Sequence, residues 1–588
     1  MDSADFGEIS RLGGDSNAIN RYLLQKVEET PDDIGGLCRL VMKEAGARID
    51  KDMADRLLKL IYLTPMGLRE RDITTILQMR DWNADSLTFA RLIKFMRPFF
   101  LFGVDGRIDF SHQIIRRSVK DLFFFFTERI NHTRYILDYL KTLPALDPVC
   151  ADYLTYCATN IEEWQDAVTF VSQLDPEKEE RALNASLRRL VGLFMTDDVS
   201  TREVSERFLK NLRRYRGYES FVKILASHID SFFASDRRGI ETQQRVYSVL
   251  LQYLDEIYQK NEVYHNLEDY AKAMLTQAEL YGDTGKYREA YSLAEKCLSL
   301  LEKSFYHGQN KNDLMARAHV GMANFGFFST VETTGVEEHT QAALKLTDDP
   351  EIKIRAYLSQ YMFYKLYDQV YNQIVIGEST NALDAACDML RVAEFFDRFR
   401  STVKSRNYLG YAYRFVGESH LISARKKRKP DSSPIEARKA LDHAIRYDEQ
   451  SAVVYKSKIA YYDLACSYSM MGESLIFMAA LCDKKTQEKD YLNKAKHYLD
   501  LAKPLVNMYQ KGTGNLSIEG RELIYLNALY VWYAVTGDKA SQKQVYKEAK
   551  ELQEEGYRTT GDKRFKRTIA FLKIMLNSHI PKYWVKKK

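Results

Sequence analysis

The stretch MLTQAELYGDTGKYREAYSLAEKCLSL, Met274 to Leu300, decides the fold. Two amphipathic helical patterns flank a Gly-Asp-Thr-Gly break. Ala278, Tyr281 and Gly285 belong to the first pattern, and Tyr287, Ala290, Ala294 and Cys297 to the second. Their spacing places small residues where two antiparallel helices cross closely, an aromatic ring in the groove beside them, and glycine at the turn. A helix pair of about 34 residues cannot bury both faces alone, so such a unit implies stacked copies.

The copies are present, and their offsets are those of the tetratricopeptide repeat. NYLGYAYRFVGES repeats the first half with Leu409, Gly410, Tyr413 and Gly417, and YYDLACSYSMMGES repeats it with Leu464, Ala465, Tyr468 and Gly472. DYLNKAKHYLDLAKPL supplies Ala495 and Ala502 for a second helix, and ALYVWYAVTGDKA is a weaker fourth match through Tyr533 and Gly537. This reading puts Gly285, Gly417 and Gly472 in turns between helices, and Ala278 and Ala290 at the closest helix approach. Residues 261–588 are the repeat array, and 129–260 are helical with repeats too degenerate to count.

Composition agrees. The 588 residues include only 28 Gly and 11 Pro, about half the usual share, which favours long helices on short connections. Thirty-nine tyrosines fall largely within helical patterns, where amphipathic rings fill gaps between helices. A formal net charge of +5 on 86 basic and 81 acidic residues gives no reason to expect nucleic acid. Seven scattered cysteines form no CxxC pair and suit a reduced compartment. The polar, acidic start MDSADFGEIS is unlike a signal peptide. No segment is expected to reach the roughly 18 apolar residues of a membrane span. A soluble, cytoplasmic protein is expected.

The front of the chain is different. Residues 1–48 carry two short amphipathic helices, AINRYLLQKVEET and LCRLVMKEAGARI, with Asp32 and Asp33 placed to start the second. From 49 to 128 the order is helix (KDMADRLLKLIYLT, stopped by Pro65 and Gly67), helix (ERDITTILQ), helix (ADSLTFARLIKFM), then PFFLFGV and GRIDFSH as two strands around the VDGR turn. QIIRRSVKDLFFFF returns to helix. Three helices and a two-stranded wing make a winged-helix domain. Leu92, Phe95 and Phe99 are expected to be buried.

The sequence carries no catalytic motif. There is no GxxxxGK[ST], since GYRTTGDKRF has Asp562 where the phosphate-binding Lys belongs, and no HExxH, GxSxG or clustered metal ligands. The carboxylates read as solvated helical faces. No enzyme, cofactor or metal site is expected.

The run INRYLLQKVEETPDDIGGLCRLVMKEAG through LTPMGLRERDI to GRIDFSHQIIRRSV, within residues 15–130, resembles the C-terminal half of STAND signal-transduction NTPases of the bacterial NACHT type. The resemblance implies a lid remnant at 1–48, a winged helix, and a tetratricopeptide-like sensor behind them. It also implies that His112 matches the histidine that contacts the nucleotide diphosphate in the inactive state, although Gln113 follows it where the Met-His-Asp form has Asp. The NTPase core itself lacks a counterpart in these 588 residues. A P-loop NTPase, upstream or on a separate chain, is therefore the implied partner, and the chain reads as a truncated, split or stand-alone sensor.

The fold expectation is all-α: a helical-hairpin superhelix preceded by a small winged-helix domain. The functional expectation is a non-catalytic sensor binding a protein or peptide in the repeat groove. Two rivals are a winged-helix DNA-binding regulator and a plain tetratricopeptide adaptor. DNA binding is disfavoured because ADSLTFARLIKFM offers only Arg91 and Lys94 among apolar residues. ARKKRKPDSSP, 424–434, reads as a basic loop within a repeat, and the tail from Lys563 as a basic end-cap helix or arm.

Overall fold

The computed structural model describes residues 9–11, 15–28, 31, 33–80, 85–123, 126–229, 240–261, 264–304, 310–329, 335–370, 381–426, 431–455, 458–507, 516–560 and 563–581. Asp32 of the sequence reading lies outside them. The chain divides into two compact units, residues 1–232 and 233–588.

The first unit opens with α1 (Ser16–Glu28), α2 (Ile34–Arg48) and α3 (Lys51–Leu63). Carboxylates start the second and third: Asp33 accepts from the Gly36 N–H at 2.7 Å and Asp50 from the Met53 N–H at 2.9 Å, satisfying donors that have no partner within the helix. After Gly67, strand β1 (Leu68–Arg69) leads into α4 (Glu70–Gln78), α5 (Ser86–Phe95), β2 (Phe100–Phe102), β3 (Arg107–Phe110) and α6 (Gln113–Phe123). Gly106 takes the expected turn with φ +76°.

The small sheet has one strand more than expected. Leu68 pairs with Ile108 and Arg69 with Arg107, so the antiparallel sheet runs β1-β3-β2. Gly67 permits this: its φ is +75°, and a Cβ there would stand 2.1 Å from the Ile108 carbonyl oxygen. A two-residue strand leaves no alternation to read in a sequence.

Helices α7 (Phe126–Leu140), α8 (Pro148–Asn160), α9 (Trp164–Gln173), α10 (Glu180–Phe194), α11 (Val199–Lys210) and α12 (Tyr218–His228) complete the unit. One core runs from Met42 through the sheet to Ala167. It includes Leu92 fully, while Phe95 and Phe99 are half-buried against it, and Arg91 and Lys94 are exposed.

The second unit is all helix in its described residues. α13 (Ile240–Lys260) precedes six hairpins: α14 (Tyr264–Asp283) with α15 (Tyr287–Lys303), α16 (Lys311–Ser329) with α17 (Val336–Leu346), α18 (Pro350–Val370) with α19 (Asn381–Phe399), α20 (Val403–Lys426) with α21 (Ser433–Tyr455), α22 (Lys458–Leu481) with α23 (Lys485–Asn507), and α24 (Leu516–Thr536) with α25 (Lys539–Thr560). α26 (Lys563–Ser578) closes the series against α24 and α25. Every helix packs on the next, and first helices also touch across hairpins: α14 on α16, α16 on α18, α20 on α22, α22 on α24, α24 on α26. The apolar clusters follow the same order, each drawing on neighbouring helices, as in Ala316, Val320, Ala343, Ile352 and Ala356. This is a tetratricopeptide-like stack of helical hairpins, and the fold is all-α.

One composition expectation is corrected. Ala460–Leu481 is long and apolar enough for a membrane span, with mean hydropathy 1.4, but 94% of that window is buried inside the unit. α22 is a core helix hydrophobic on all sides because other helices surround it.

Candidate functional site

Ala278 and Ala290 are buried together against Phe325, with Tyr281 packed on the cluster. Gly285 makes the turn, with φ +79°. Gly410, Gly417 and Gly472 do something else. They lie inside α20 and α22, not between helices, so the turn expectation fails for Gly417 and Gly472. A Cβ on Gly417 would stand 2.7 Å from Leu441 Cγ, one on Gly472 3.1 Å from Leu499 Cγ, and one on Gly410 2.6 Å from Asp448 Oδ1. These glycines let the second helix of each hairpin approach the backbone of the first. Tyr413 stacks on His443 with ring centroids 4.8 Å apart and donates to Glu394. Ala465 is buried, and Tyr468 donates to Glu449 at 2.7 Å.

Along the first helices of the hairpins runs a feature the sequence reading missed: a ladder of charged side chains from one first helix to the next. Glu279 on α14 receives Arg317 of α16 at 3.2 Å and Arg355 of α18 at 2.8 Å. Glu351 on α18 takes Lys404 and the Tyr408 hydroxyl of α20. Glu418 of α20 takes Lys365 and the Tyr361 hydroxyl of α18. Arg414 of α20 meets Asp463 of α22 and lies 3.6 Å from Asp448 of α21. Arg425 of α20 grips Glu473 of α22 through two nitrogens at 2.7 and 2.6 Å, and His579 adds a contact at 3.3 Å.

The ladder changes character along the array. Glu418, Asp448, Asp463 and Glu473 are buried, contrary to the expectation of solvated carboxylates. Burial alone pushes the Glu473 carboxyl upward, but Arg425 and His579 outweigh it and hold the pKa at about 2. At the other end, Glu279, Arg317 and Arg355 keep 34%, 28% and 31% of their side-chain surface accessible. Burial is nevertheless the largest single influence on Glu279, overcome by Arg355 and Arg317, which bring it down to about 2. The cluster is therefore partly open to solvent while protein atoms crowd it. Within this triad two guanidiniums share one carboxylate oxygen, one positive charge more than negative.

In the first unit, His112 is exposed at the start of α6, where its Nδ1 accepts from the Ile114 N–H at 3.1 Å. Arg116 is engaged internally with Asp109 and the Tyr62 carbonyl, while Arg117 and Lys120 are exposed. The GLRERD turn is tied to the helices that follow: Arg69 bridges buried Asp72 and Asp147, and the Tyr139 hydroxyl donates to Asp72 at 2.6 Å. Arg107 on β3 reaches Asp152 of α8 at 2.8 Å, which also takes Arg181 of α10. Among the described residues, no three His, Cys, Asp or Glu side chains gather as a metal site.

No family model matches the chain, and no curated protein does. Among solved structures, it is similar to the STAND protein with a tetratricopeptide repeat sensor from Pyrococcus horikoshii, at 14% identity and a TM-score of 0.32, over 95% of this chain and 66% of that one. It is also similar to yeast Tom70, at 15% identity and a TM-score of 0.26, over 76% of this chain and 93% of that one. The chain thus spans about two-thirds of the STAND protein's length. The fold assignment rests on the helix pairing described above.

Proposed function

We propose that the chain is a non-catalytic sensing and regulatory module, the C-terminal half of a STAND switch of the bacterial NACHT type acting in the cytoplasm. The repeat array takes a protein or peptide ligand. The winged-helix part at 49–128 passes the bound state to a P-loop NTPase, upstream or on a separate chain. The observation that carries this reading is the partly exposed cluster of Glu279, Arg317 and Arg355 across three successive first helices. A ligand held there contacts several hairpins at once and so favours one arrangement of the array, which is how binding shifts a population of states.

The test is a peptide-display selection against the full chain and against an Arg317→Glu/Arg355→Glu variant. Acidic peptides are expected to be enriched on the wild type and lost on the variant. Identical enriched sets from both would refute the groove assignment. The DNA-binding rival is supported by the exposure of Arg91, Lys94 and Arg97, three residues apart. Sequence-specific duplex binding at physiological salt, abolished by Arg91→Ala, would favour that rival instead.

A further inference from the structure

α26 carries a charge pattern that the sensing role leaves unused. From Lys563 to Lys588 the chain holds nine Lys or Arg and no Asp or Glu. The whole chain is only +5, so the residues before Lys563 are net negative by four. Lys563, Arg564, Lys566 and Arg567 open the helix, Lys573 follows in its second half, and Lys582, Lys586, Lys587 and Lys588 come after it. We propose that α26, with the basic segment after it, docks on an anionic lipid bilayer and lies in the plane of the headgroups.

Exposed apolar side chains single out a bilayer among polyanions. Phe565, Leu572 and Leu576 are buried and hold α26 against α24 and α25. On the opposite side Phe571 is 62% exposed and Ile574 57%. At ~100° per residue they share an arc with exposed Ala570, and exposed Lys566 and Lys573 lie along its flank. Nucleic acid or an acidic protein would take the lysines and leave two large apolar side chains in water. A headgroup layer takes both, because the lysines meet lipid phosphates while Phe571 and Ile574 enter the acyl boundary. Tyr583 and Trp584, residue types that favour that boundary, stand between Lys582 and Lys586 in the sequence.

The helix is built to lie on a surface and not to cross it. Its apolar stretch, Thr568–Ser578, falls well short of the roughly 20 residues of a span. Its seat in the array is fixed, since the Tyr530 hydroxyl donates to Asn577 at 2.8 Å and His579 Nδ1 lies 3.3 Å from Glu473. The neighbouring helix does not repel an anionic surface. α25 has five basic residues to four acidic ones, and Glu551 and Glu554 are paired with Lys547 and Lys550. Docking therefore asks for no unfolding of the array, and it leaves the cluster of Glu279, Arg317 and Arg355 untouched.

The experiment is sedimentation of the tag-free full chain with vesicles of equimolar phosphatidylserine and phosphatidylcholine, with pure phosphatidylcholine vesicles as control. Binding is expected to the first and not to the second. Phe571→Ser/Ile574→Ser, both at exposed positions, should weaken it about tenfold or more. Lys573→Glu should weaken it about fivefold or more. Circular dichroism checks that the variants fold. A second readout needs no variant: phosphatidylserine vesicles should slow hydrogen exchange in α26 of the wild type and leave α14–α17 unchanged. No binding to the phosphatidylserine vesicles, equal binding to phosphatidylcholine alone, or protection that spares α26 would overturn the proposal. So would full binding by the Phe571→Ser/Ile574→Ser variant, because charge alone would then suffice and duplex DNA or an acidic protein would serve as well.

Discussion

Gly417→Ala isolates what the misread glycines are for. In a mid-helix position, replacing Gly with Ala gains about 1 kcal/mol from backbone propensity. Against this, the new methyl would meet Leu441 Cγ at 2.7 Å and Cδ2 at 3.0 Å. That is about 1 Å inside comfortable contact. Leu441 is fully buried, so it has no solvent side to retreat into, and such overpacking costs about 1–3 kcal/mol. The net expectation is a loss of up to about 2 kcal/mol. The sharper expectation is a change of sign. In a Leu441→Ala background the two side-chain clashes are gone and only the Ala437 carbonyl oxygen, at 3.3 Å, stays close, so Gly417→Ala should stabilise by up to about 1 kcal/mol. Hydrogen exchange on the amides of α20 and α21 measures both steps locally, which suits a chain of two units that need not unfold together. If Gly417→Ala has the same effect in both backgrounds, close approach is not the reason for glycine there.

Three further outcomes are expected. Ala290→Leu, placed against Ala278 and Phe325, should cost about 1–3 kcal/mol, with exchange rising in α14–α17 and leaving residues 33–229 unchanged, because contacts in a repeat array are local. Glu473→Gln should destabilise the second unit by about 3 kcal/mol at pH 7, the worth of holding a carboxyl at about 2 instead of its ordinary 4.5. Because the folded value is depressed, that contribution is present above about pH 4.5 and fades towards pH 2, so melting curves of the two proteins should converge there. Gly192→Ala, in α10 where a Cβ meets nothing within 4 Å, should stabilise by about 0.5–1 kcal/mol by thermal melting.

The helices were legible because their caps and periods are local. Asp33, Asp50 and Asp85 each start a helix where the chain places a carboxylate before an apolar period. The Asp105–Gly106 turn and the Gly285 and Gly537 turns were equally local, each glycine having positive φ. Gly417 and Gly472 were misplaced because one residue type serves two needs, positive φ and closeness. The distinguishing sign was the apolar pattern that continues past them, through HLISA and LIFMAA. The charged ladder was illegible for another reason. Glu418 meets Tyr361 and Lys365, and Glu473 meets Arg425, across 48 to 57 residues of chain, and no periodicity joins such partners. What could be noticed was a carboxylate inside an apolar helix, as Asp463 and Glu473 are within Ala460–Leu481.

That helix has a consequence for how the array comes apart. α22 is covered by α20 and α21 on one side and by α23 and α24 on the other. It cannot be solvated at either flank without exposing a segment apolar enough to enter a bilayer. A chain ending after Asn507 would present one side of it bare, as would a nascent chain still lacking α24. Residues 403–536 therefore have to be made and buried as a block. A nonsense change, a protease cut or a cloning boundary within that block should yield aggregate instead of a shorter array.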